Sequence, residues 1–400
     1  MQQALSFGWI ITSIKHINRI IFPVFLAFSE YLETRVKIEQ RSLVRTLGPF
    51  LFALLSGLLM SCTTVGPAAV YSGRLAYNEA IVETNNQQLL LLALRNRYGE
   101  RGNLLALNSV TANVSVTTKV GTQLGFGDSG DYSGNLVPFG AGVIYEENPT
   151  ISYSPVGGEK YADRLMSSLP LRELMLFASN LTDPEHIYVT FVSRINDIHN
   201  PGFLHDSSSA DPRFSRLIEL FVKLDKAHRL HWKYNSQNSG RYAIVIDHYW
   251  PDYSADVAEI YKLLDLSAPE TFSSRMEIPV SLGLDNSVEG GISISTRSIF
   301  NLLEIFSAAI DVPEQDQASG AALSYPPAGL AGQNLRVQRA SVPPEGASTA
   351  VEYRDAWYYI DDTNQNTKLF FRLITTLISI GIAESTTNDA NPILTVPVSN

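Results

Sequence analysis

The sequence predicts an α+β protein, in which helices combine with a mostly antiparallel sheet, and three observations lead to this prediction. Apolar residues recur at helical spacing in several long stretches. Shorter stretches with alternating or β-branched residues lie between them, but their order does not follow a regular βαβ pattern. Glycine- and proline-rich segments separate the elements, and no repeat at solenoid spacing is present.

The first half of the chain is predicted to begin with a long helix over residues 71–98, which Gly99 ends. Pro170 is expected to divide a helical region over 159–179, because proline lacks the amide proton that a continuous helix needs. Asp211 and Pro212 are typical of the cap and first turn of a further helix. The remaining predictions are one or two strands within 104–118, a strand in 148–156, and a strand in 186–198 for which a helix is the alternative.

The second half is predicted to mix strands and helices in the same way. Arg354-Asp355 is expected to turn a hairpin within 349–362, and Asn364 to cap the helix that follows. The loop 311–333 contains three prolines, so we expect it to be mobile or draped over the surface. The other predicted elements are strands at 231–236, 241–250, 275–282, 291–295, 334–341 and 392–398, and helices at 254–266 and 297–310.

The only cysteine of the chain, Cys62, directly follows a charge-free apolar run from Leu47 to Met60. The motif Leu59-Met60-Ser61-Cys62 is typical of bacterial lipoproteins, in which the cysteine receives diacylglycerol before cleavage. Arg41 and Arg45 supply the positive flank of an export signal, and the run is shorter than a membrane span. The sequence therefore predicts a signal peptide over 44–61, cleavage between Ser61 and Cys62, and lipidation of Cys62 with fatty acids such as palmitate.

The alternative is a core helix that ends in an ordinary buried cysteine. Pro49, Gly57 and the basic flank favour the signal. In that case residues 62–70 form a lipidated linker, and residues 71–400 form a periplasmic domain with a candidate subdomain boundary near 200–210. Thr63 and Thr64 follow Cys62 in place of the aspartate that retains lipoproteins at the inner membrane, so we expect the periplasmic face of the outer membrane.

Residues 1–43 have two explanations. Lys15, His16 and Arg19 interrupt an apolar stretch that otherwise looks like a membrane anchor, and charges there are costly in a bilayer. One explanation is a mis-annotated start, with translation beginning near Leu43 or Val44. The other is a genuine amphipathic segment that precedes the signal.

Charge limits the partners of the processed chain. Removal of residues 1–61 takes away six basic and three acidic residues, which leaves 24 basic and 37 acidic residues and a formal charge of −13. This balance disfavours nucleic acid and anionic headgroups. We expect membrane attachment through the N-terminal lipid, envelope proteins as partners, and no cofactor.

Four residues are weak candidates for catalysis. Asp247-His248 and Asp361-Asp362 each end a predicted strand, and paired carboxylates serve as acid and base in glycosidases. Residues at such positions also cap the turn or helix that follows. The sequence contains no Gly-x-Ser-x-Gly, His-Glu-x-x-His or Gly-Lys-Ser/Thr motif, which lowers the expectation of an enzyme.

Two further pairs of residues are candidates for binding. His228 and His231 are spaced to lie on one side of a helix end and could hold a metal, or they could complement the helix dipole in solvent. Trp357 and Tyr359 alternate with Tyr358 and Ile360, so one side of this strand is expected to be core. The other side is a possible partner surface, because aromatic side chains anchor interfaces.

Five blocks of the mature chain are distinctive in their order and spacing: YNEAIVETNNQQLLLLALRNRY, PTISYSPVGGEKYADRLMSSLPL, STRSIFNLLEIFSAAIDVP, YRDAWYYIDD and PILTVPVS. In these blocks the chain resembles a family of uncharacterised bacterial lipoproteins. In that family the first helix usually has Asn at the position of Leu92 and Leu at that of Asn96, so one helical face is rearranged here. The resemblance implies export and lipidation but no activity.

Together these features predict a lipid-anchored interaction or assembly component of the cell envelope. The alternative is a lipid-tethered periplasmic hydrolase that acts on envelope polysaccharide or cell wall. A hydrolase requires a pocket where Asp247, His248, Asp361 or Asp362 converge, whereas a scaffold requires an exposed apolar or aromatic patch. A third class, a small-ligand-binding lipoprotein, would have a closed apolar cavity.

Overall fold

The computed structural model describes residues 65–111, 114–122, 139–147, 150–181, 183–205, 210–235, 241–267, 275–283, 290–386 and 394–397. The chain divides into two units, residues 1–78 and 79–400. Residues 65–78 are helical, and the second unit contains all the other described elements. The predicted extension 1–43, the signal 44–61 and the Ser61–Cys62 processing site lie outside the described residues.

Nine α-helices lie within the described residues. In chain order they are α1 (Val65–Arg97), α2 (Glu159–Met166), α3 (Leu171–Asn180), α4 (Pro184–Phe191), α5 (Pro212–Lys226), α6 (Ser254–Leu263), α7 (Ile299–Ala308), α8 (Glu314–Ala318) and α9 (Gln365–Thr386). A short 3₁₀ turn follows α8 at Leu330–Gly332.

The described strands form four sheets, and β9–β10 is the one parallel pair among them. The sheets have the orders β1-β4-β14, β6-β5-β10-β9-β8-β7, β11-β13-β12 and β2-β3. The strands are β1 (Leu104–Thr111), β2 (Val114–Thr122), β3 (Phe139–Glu147), β4 (Thr150–Val156), β5 (Val192–Ile195), β6 (Ile198–His199), β7 (Leu230–Asn235), β8 (Arg241–Asp247), β9 (Arg275–Leu282), β10 (Ile292–Thr296), β11 (Gln338–Ala340), β12 (Ala347–Tyr353), β13 (Ala356–Asp361) and β14 (Leu394–Pro397).

The α+β class is confirmed, and three local predictions need correction. Helix α1 begins at Val65, six residues before its predicted start at 71; Pro67 lies in the first turn, where helices tolerate proline. The segment 186–198 contains the end of α4 followed by β5, not one strand. The segment 311–333 was predicted as a loop, but it contains helix α8 and the 3₁₀ turn at Leu330–Gly332, and Ala322 and Ala331 are buried.

The six-stranded sheet is the centre of the second unit. Ala243 to Ile246 of β8 are all buried, so this strand is covered on both faces and its apolar run does not alternate. The sheet combines β5 and β6 with β7 to β10, and it therefore includes strands from both sides of residues 200–210. Helix α5 contributes Phe214, Leu217, Ile218, Phe221 and Leu224, which recur at helical spacing and are buried in the same core.

The end of α1 carries a polar and aromatic cluster. Gly99 has φ +68° and closes the helix, with the amide of Glu100 donating to the carbonyl of Arg95 at 2.8 Å. The side-chain amide of Asn96 donates hydrogen bonds to the Glu304 carboxylate at 2.6 Å and to the Ser307 hydroxyl at 3.1 Å. The Asn96 side chain thus joins α1 to α7.

The hairpin β12–β13 turns at Arg354-Asp355 as predicted, with φ values of +50° and +56°. Positive φ at both central residues is the geometry of a type I′ turn, which matches the twist of the strands. The Arg354 guanidinium lies 4.0 Å from the centre of the Tyr98 ring and donates to Glu100 at 2.8 Å. The turn therefore attaches the hairpin to the end of α1.

Helix α9 begins after Asn364, whose side chain accepts from the Thr367 amide at 3.0 Å, as the predicted cap requires. Residues Gln365–Ala383 are long and apolar enough to cross a membrane by length and composition alone. A buried core helix passes the same test, so this is weak evidence for a span. Phe370, Ile374 and Leu377 are fully buried in the protein core.

A buried arginine, Arg297, closes the C-terminal end of α4. Its Nη1 donates to the carbonyls of Val189, Thr190 and Val192 at 2.8–2.9 Å, and its Nη2 donates to the carbonyl of Asn200. Its backbone amide donates to the Phe191 carbonyl at 2.8 Å. The carbonyls at 189–192, which a helix end leaves without partners, thus all receive a donor from one residue.

Arg297 is only 3% exposed, and its side chain donates to backbone carbonyls rather than to an acidic side chain among the described residues. Burial lowers the pKa of Arg297 to about 9, which still leaves the guanidinium charged at neutral pH. The partial negative charge of the helix C-terminus takes the place of a counter-ion. Arg297 therefore fixes where α4 ends and β5 begins.

We predict that Arg297→Met lowers the free energy of unfolding by about 3 kcal/mol, because buried carbonyls lose their donor. Chemical denaturation measures this loss. The control is Arg336→Met, since the Arg336 side chain is 63% exposed and pairs with Asp311, so its loss costs about 1 kcal/mol or less. Equal losses in the two variants would contradict the structural role of Arg297.

Candidate functional site

The four candidate catalytic residues lie at two separate strand ends. Asp247 ends β8 of the six-stranded sheet, and the exposed His248 follows with φ +46°. Asp361 ends β13 of a three-stranded sheet and accepts hydrogen bonds from the Thr363 amide at 2.8 Å and hydroxyl at 2.6 Å. Asp362 pairs with Lys368 at 2.5 Å.

These contacts are those of turn and cap residues. The hydrogen bonds from Thr363 lower the pKa of Asp361, so this carboxyl group is held in its charged form. None of the four residues lines the cavities of about 680 and 350 Å³ among the described residues. Asp247 and Asp361 end strands of different sheets, so the two pairs do not share either cavity.

The two histidines do not share a helix face, so that part of the metal hypothesis was wrong. Helix α5 ends at Lys226, and His228 lies in a turn with φ +57°. His231 lies on β7, where its Nδ1 is 3.9 Å from a carboxylate oxygen of Asp247. Within the described residues, no three His, Cys, Asp or Glu side chains are grouped as a metal site would require.

Trp357 and Tyr359 lie on the same face of β13, opposite Tyr358 and Ile360, which are fully buried. This confirms that one side of the strand is core. Trp357 and Tyr359 are half-buried, and the Tyr359 hydroxyl donates to Gln338 at 2.9 Å. Their role as a partner surface stays a prediction.

One cavity among the described residues measures about 680 Å³ and lies between α1, β12 and α9. Two basic residues of α9, Lys368 and Arg372, line it one helical turn apart. The polar side chains that line it further include Asn86, Ser348, Thr349, Gln365, Asn366 and Thr376. Its volume lies within the range of ligand pockets, and amide and hydroxyl groups suit hydrogen bonding to a polar ligand.

A second cavity of about 350 Å³ adjoins the first, because Asp183 and Asn366 line both. We call the two cavities together the α4–α9 cleft. Helix α4 supplies Glu185, His186 and Thr190, and the facing residues are Ser215 and Ile218 of α5 and the segment 330–334. The cleft thus combines residues far apart in sequence.

Two buried polar atoms belong to residues that line the second cavity. The Nε2 atom of His186 and the hydroxyl oxygen of Thr190 are closed off from solvent and have no hydrogen-bond partner among the described residues. Thr190 is 0% exposed. Since buried polar groups are nearly always paired, such atoms need an explanation, and an absent ligand or water is one.

Burial lowers the pKa of His186 below its ordinary value of 6.5, and the Asp183 carboxylate partly opposes this shift. The imidazole is therefore neutral at pH 7. Asp183 also caps α4, with its side chain accepting from the His186 amide at 3.3 Å. The same residue thus shapes both the helix and the wall of the α4–α9 cleft.

The cleft was not among the sites predicted from the sequence. The cap Asp183-Pro184 and the spacing of His186 and Thr190 by one helical turn were visible signals, but residues 186–198 were predicted as a strand. In a strand those two side chains would not be adjacent along one helical face. The second wall comes from α9, whose N-terminus follows about 180 residues later in the sequence.

No protein-family model, curated protein or solved structure matches this chain. The resemblance to bacterial lipoproteins therefore stays a prediction from the sequence blocks that suggested it.

We predict that acidification destabilises the protein in part through His186. Between pH 6.5 and the lower pKa of the folded state, His186 is protonated in the unfolded chain but neutral in the folded chain. The free energy of unfolding therefore has its full value above pH 6.5 and falls as the pH drops below it. Denaturation at pH 7.5 and 5.5 should therefore show a smaller pH effect for His186→Gln than for the wild type. Parallel pH dependence of the two proteins would contradict this.

Proposed function

We propose that this protein is a bacterial lipoprotein, held by acylated Cys62 at the periplasmic face of the outer membrane, and that its α+β domain is an interaction component of the envelope. One observation supports a binding role above the others. The α4–α9 cleft gathers amide, hydroxyl and charged side chains in two adjoining cavities of about 680 and 350 Å³. These groups recognise a polar ligand by hydrogen bonds and charge, without a catalytic step.

The hydrolase alternative has no comparable support. Asp361 accepts a hydrogen bond from Thr363, and Asp362 forms an ion pair with Lys368. Asp247 lies beside His231 in the six-stranded sheet, whereas Asp361 belongs to a three-stranded sheet. A glycosidase needs two carboxyl groups that flank one bond of a bound sugar. The residues that the sequence offered for this task line neither of the two cavities of the cleft.

A tether and a binding cleft are consistent with each other. A lipid at Cys62 confines the domain to a membrane surface, which raises the effective concentration of the domain toward envelope components there. The formal charge of −13 after processing keeps the domain soluble and away from anionic headgroups. Binding at the cleft then depends on local recognition groups rather than on overall charge.

The anchor is tested by fatty-acid labelling of cells that produce the full chain. We predict that radiolabelled palmitate enters the wild-type protein, and that Cys62→Ser abolishes both labelling and sedimentation with membranes. Ser61→Asp is a second variant, because it removes the small residue before the cut and retains the thiol; precursor should accumulate. A Cys62→Ser protein that still sediments with membranes contradicts the proposed anchor.

The binding role is tested by site-specific photo-crosslinking in cells. A photoreactive phenylalanine analogue at Thr376, an exposed position that lines the cleft, should form an adduct with an envelope component. The matched position is Ser319, which is exposed and does not line the cleft. We expect Arg372→Gln to weaken the Thr376 adduct severalfold. Equal adducts at Thr376 and Ser319, or an adduct unaffected by Arg372→Gln, would contradict binding at the cleft.

A further inference from the structure

The two parts of the α4–α9 cleft differ in charge. The first cavity contains the cationic side chains Lys368 and Arg372, and the second contains Glu185, with Asp183 at the junction. We infer that the cleft binds a zwitterionic peptide, with the ligand carboxylate near Arg372 and the ligand ammonium near Glu185. This inference rests on the binding role proposed above and adds the class of ligand to it.

Arg372 is the group available to a carboxylate. Lys368 is already paired with Asp362 at 2.5 Å and also donates to the Asp362 carbonyl at 3.0 Å. The Arg372 guanidinium is exposed and has no ion pair or hydrogen bond among the described residues. A free guanidinium presents a fork of donors that matches a carboxylate.

Glu185 is the group available to an ammonium. It is exposed in the first turn of α4 and has no ion pair or hydrogen bond among the described residues. The Asp183 carboxylate is partly engaged, since it caps the His186 amide at 3.3 Å. Two carboxylates at this end attract a cation and disfavour a ligand that is negative throughout.

The amide side chains of the cleft suit a peptide backbone. Asn366 lines both cavities, and Asn86 and Gln365 line the first, so three side-chain amides line the cleft together with the charged groups. Each amide both donates and accepts hydrogen bonds, as the peptide group does. Thr190 and His186 beside the second cavity hold unpaired buried atoms, which a bound ligand or its ordered water could satisfy after a small adjustment.

The experiment measures binding of three probes to the purified full-length protein in non-ionic detergent by calorimetry. The probes are tri-alanine, its N-acetyl form and its C-terminal amide, which differ only in the end charges. We expect tri-alanine to bind, and each capped probe to bind about threefold to fivefold more weakly, because exposed charge pairs contribute modestly.

Protein variants assign each end. The Arg372→Gln variant should bind tri-alanine more weakly than the wild type does. Amidation of the probe should no longer change its affinity for this variant, whereas acetylation should still lower it. For the Glu185→Gln variant, acetylation of the probe should no longer change its affinity, whereas amidation should still lower it. The control variants are Arg339→Gln and Glu352→Gln, which change exposed charges outside the cleft and should behave like the wild type.

Two results would overturn the inference. The first is that capping either end of the probe leaves its affinity for the wild type unchanged, or changes the affinity equally for the wild type and for both cleft variants. The second is that tri-alanine fails to bind at millimolar concentration. If an uncharged probe, the trimer of N-acetylglucosamine, binds in its place and protects the cleft from the Thr376 photo-crosslink, the binding role stands and the zwitterionic ligand does not.

Discussion

The end of α4 depends on one buried cation. The chain passes from helix to strand between Phe191 and Val192 without a loop, so the last helical carbonyls have no continuing turn to pair with. Arg297 donates hydrogen bonds to the four carbonyls of residues 189–192. The side-chain amide of Asn200 donates two more, to the carbonyls of Val189 and Val192. Because Arg297 directly follows β10, this contact couples the central sheet to the helix that forms one wall of the cleft.

The same helix connects stability to the candidate site. One end of α4 is fixed by Arg297, and the other is capped by Asp183, which lines both cavities. His186 and Thr190 lie between these ends and carry the unpaired buried atoms. A buried polar group without a partner lowers stability, so a protein that retains two of them beside a cavity is consistent with a site that binds a ligand.

The proposed localisation at the membrane and the proposed binding site are separate physical claims. The lipid anchor rests on a short processing motif at Cys62, whereas the cleft rests on side chains between residues 82 and 376. Neither claim requires the other, since a cleft can bind a ligand without a tether. Together the two proposals describe a domain of net negative charge that its lipid, rather than its surface, would hold at a membrane.

Local chemistry in the sequence determined most of the elements. Gly99, Pro170, Asp211 and the Arg354-Asp355 turn each act within a few residues, through positive φ, a missing amide proton or a cap, so their effects were predictable. The apolar runs likewise indicated the core strands and helices.

Only the tertiary structure decided the strand order, the burial of Arg297 and the lining of one cleft by α4 and α9, because these features bring together residues about 100 to 180 positions apart. Nothing in the local sequence marks Arg297 as buried, since arginine is ordinarily exposed and its partners here are backbone carbonyls that any residue provides. The sequence alone therefore determined the class and the motifs of this protein, and long-range packing decided which polar side chains meet.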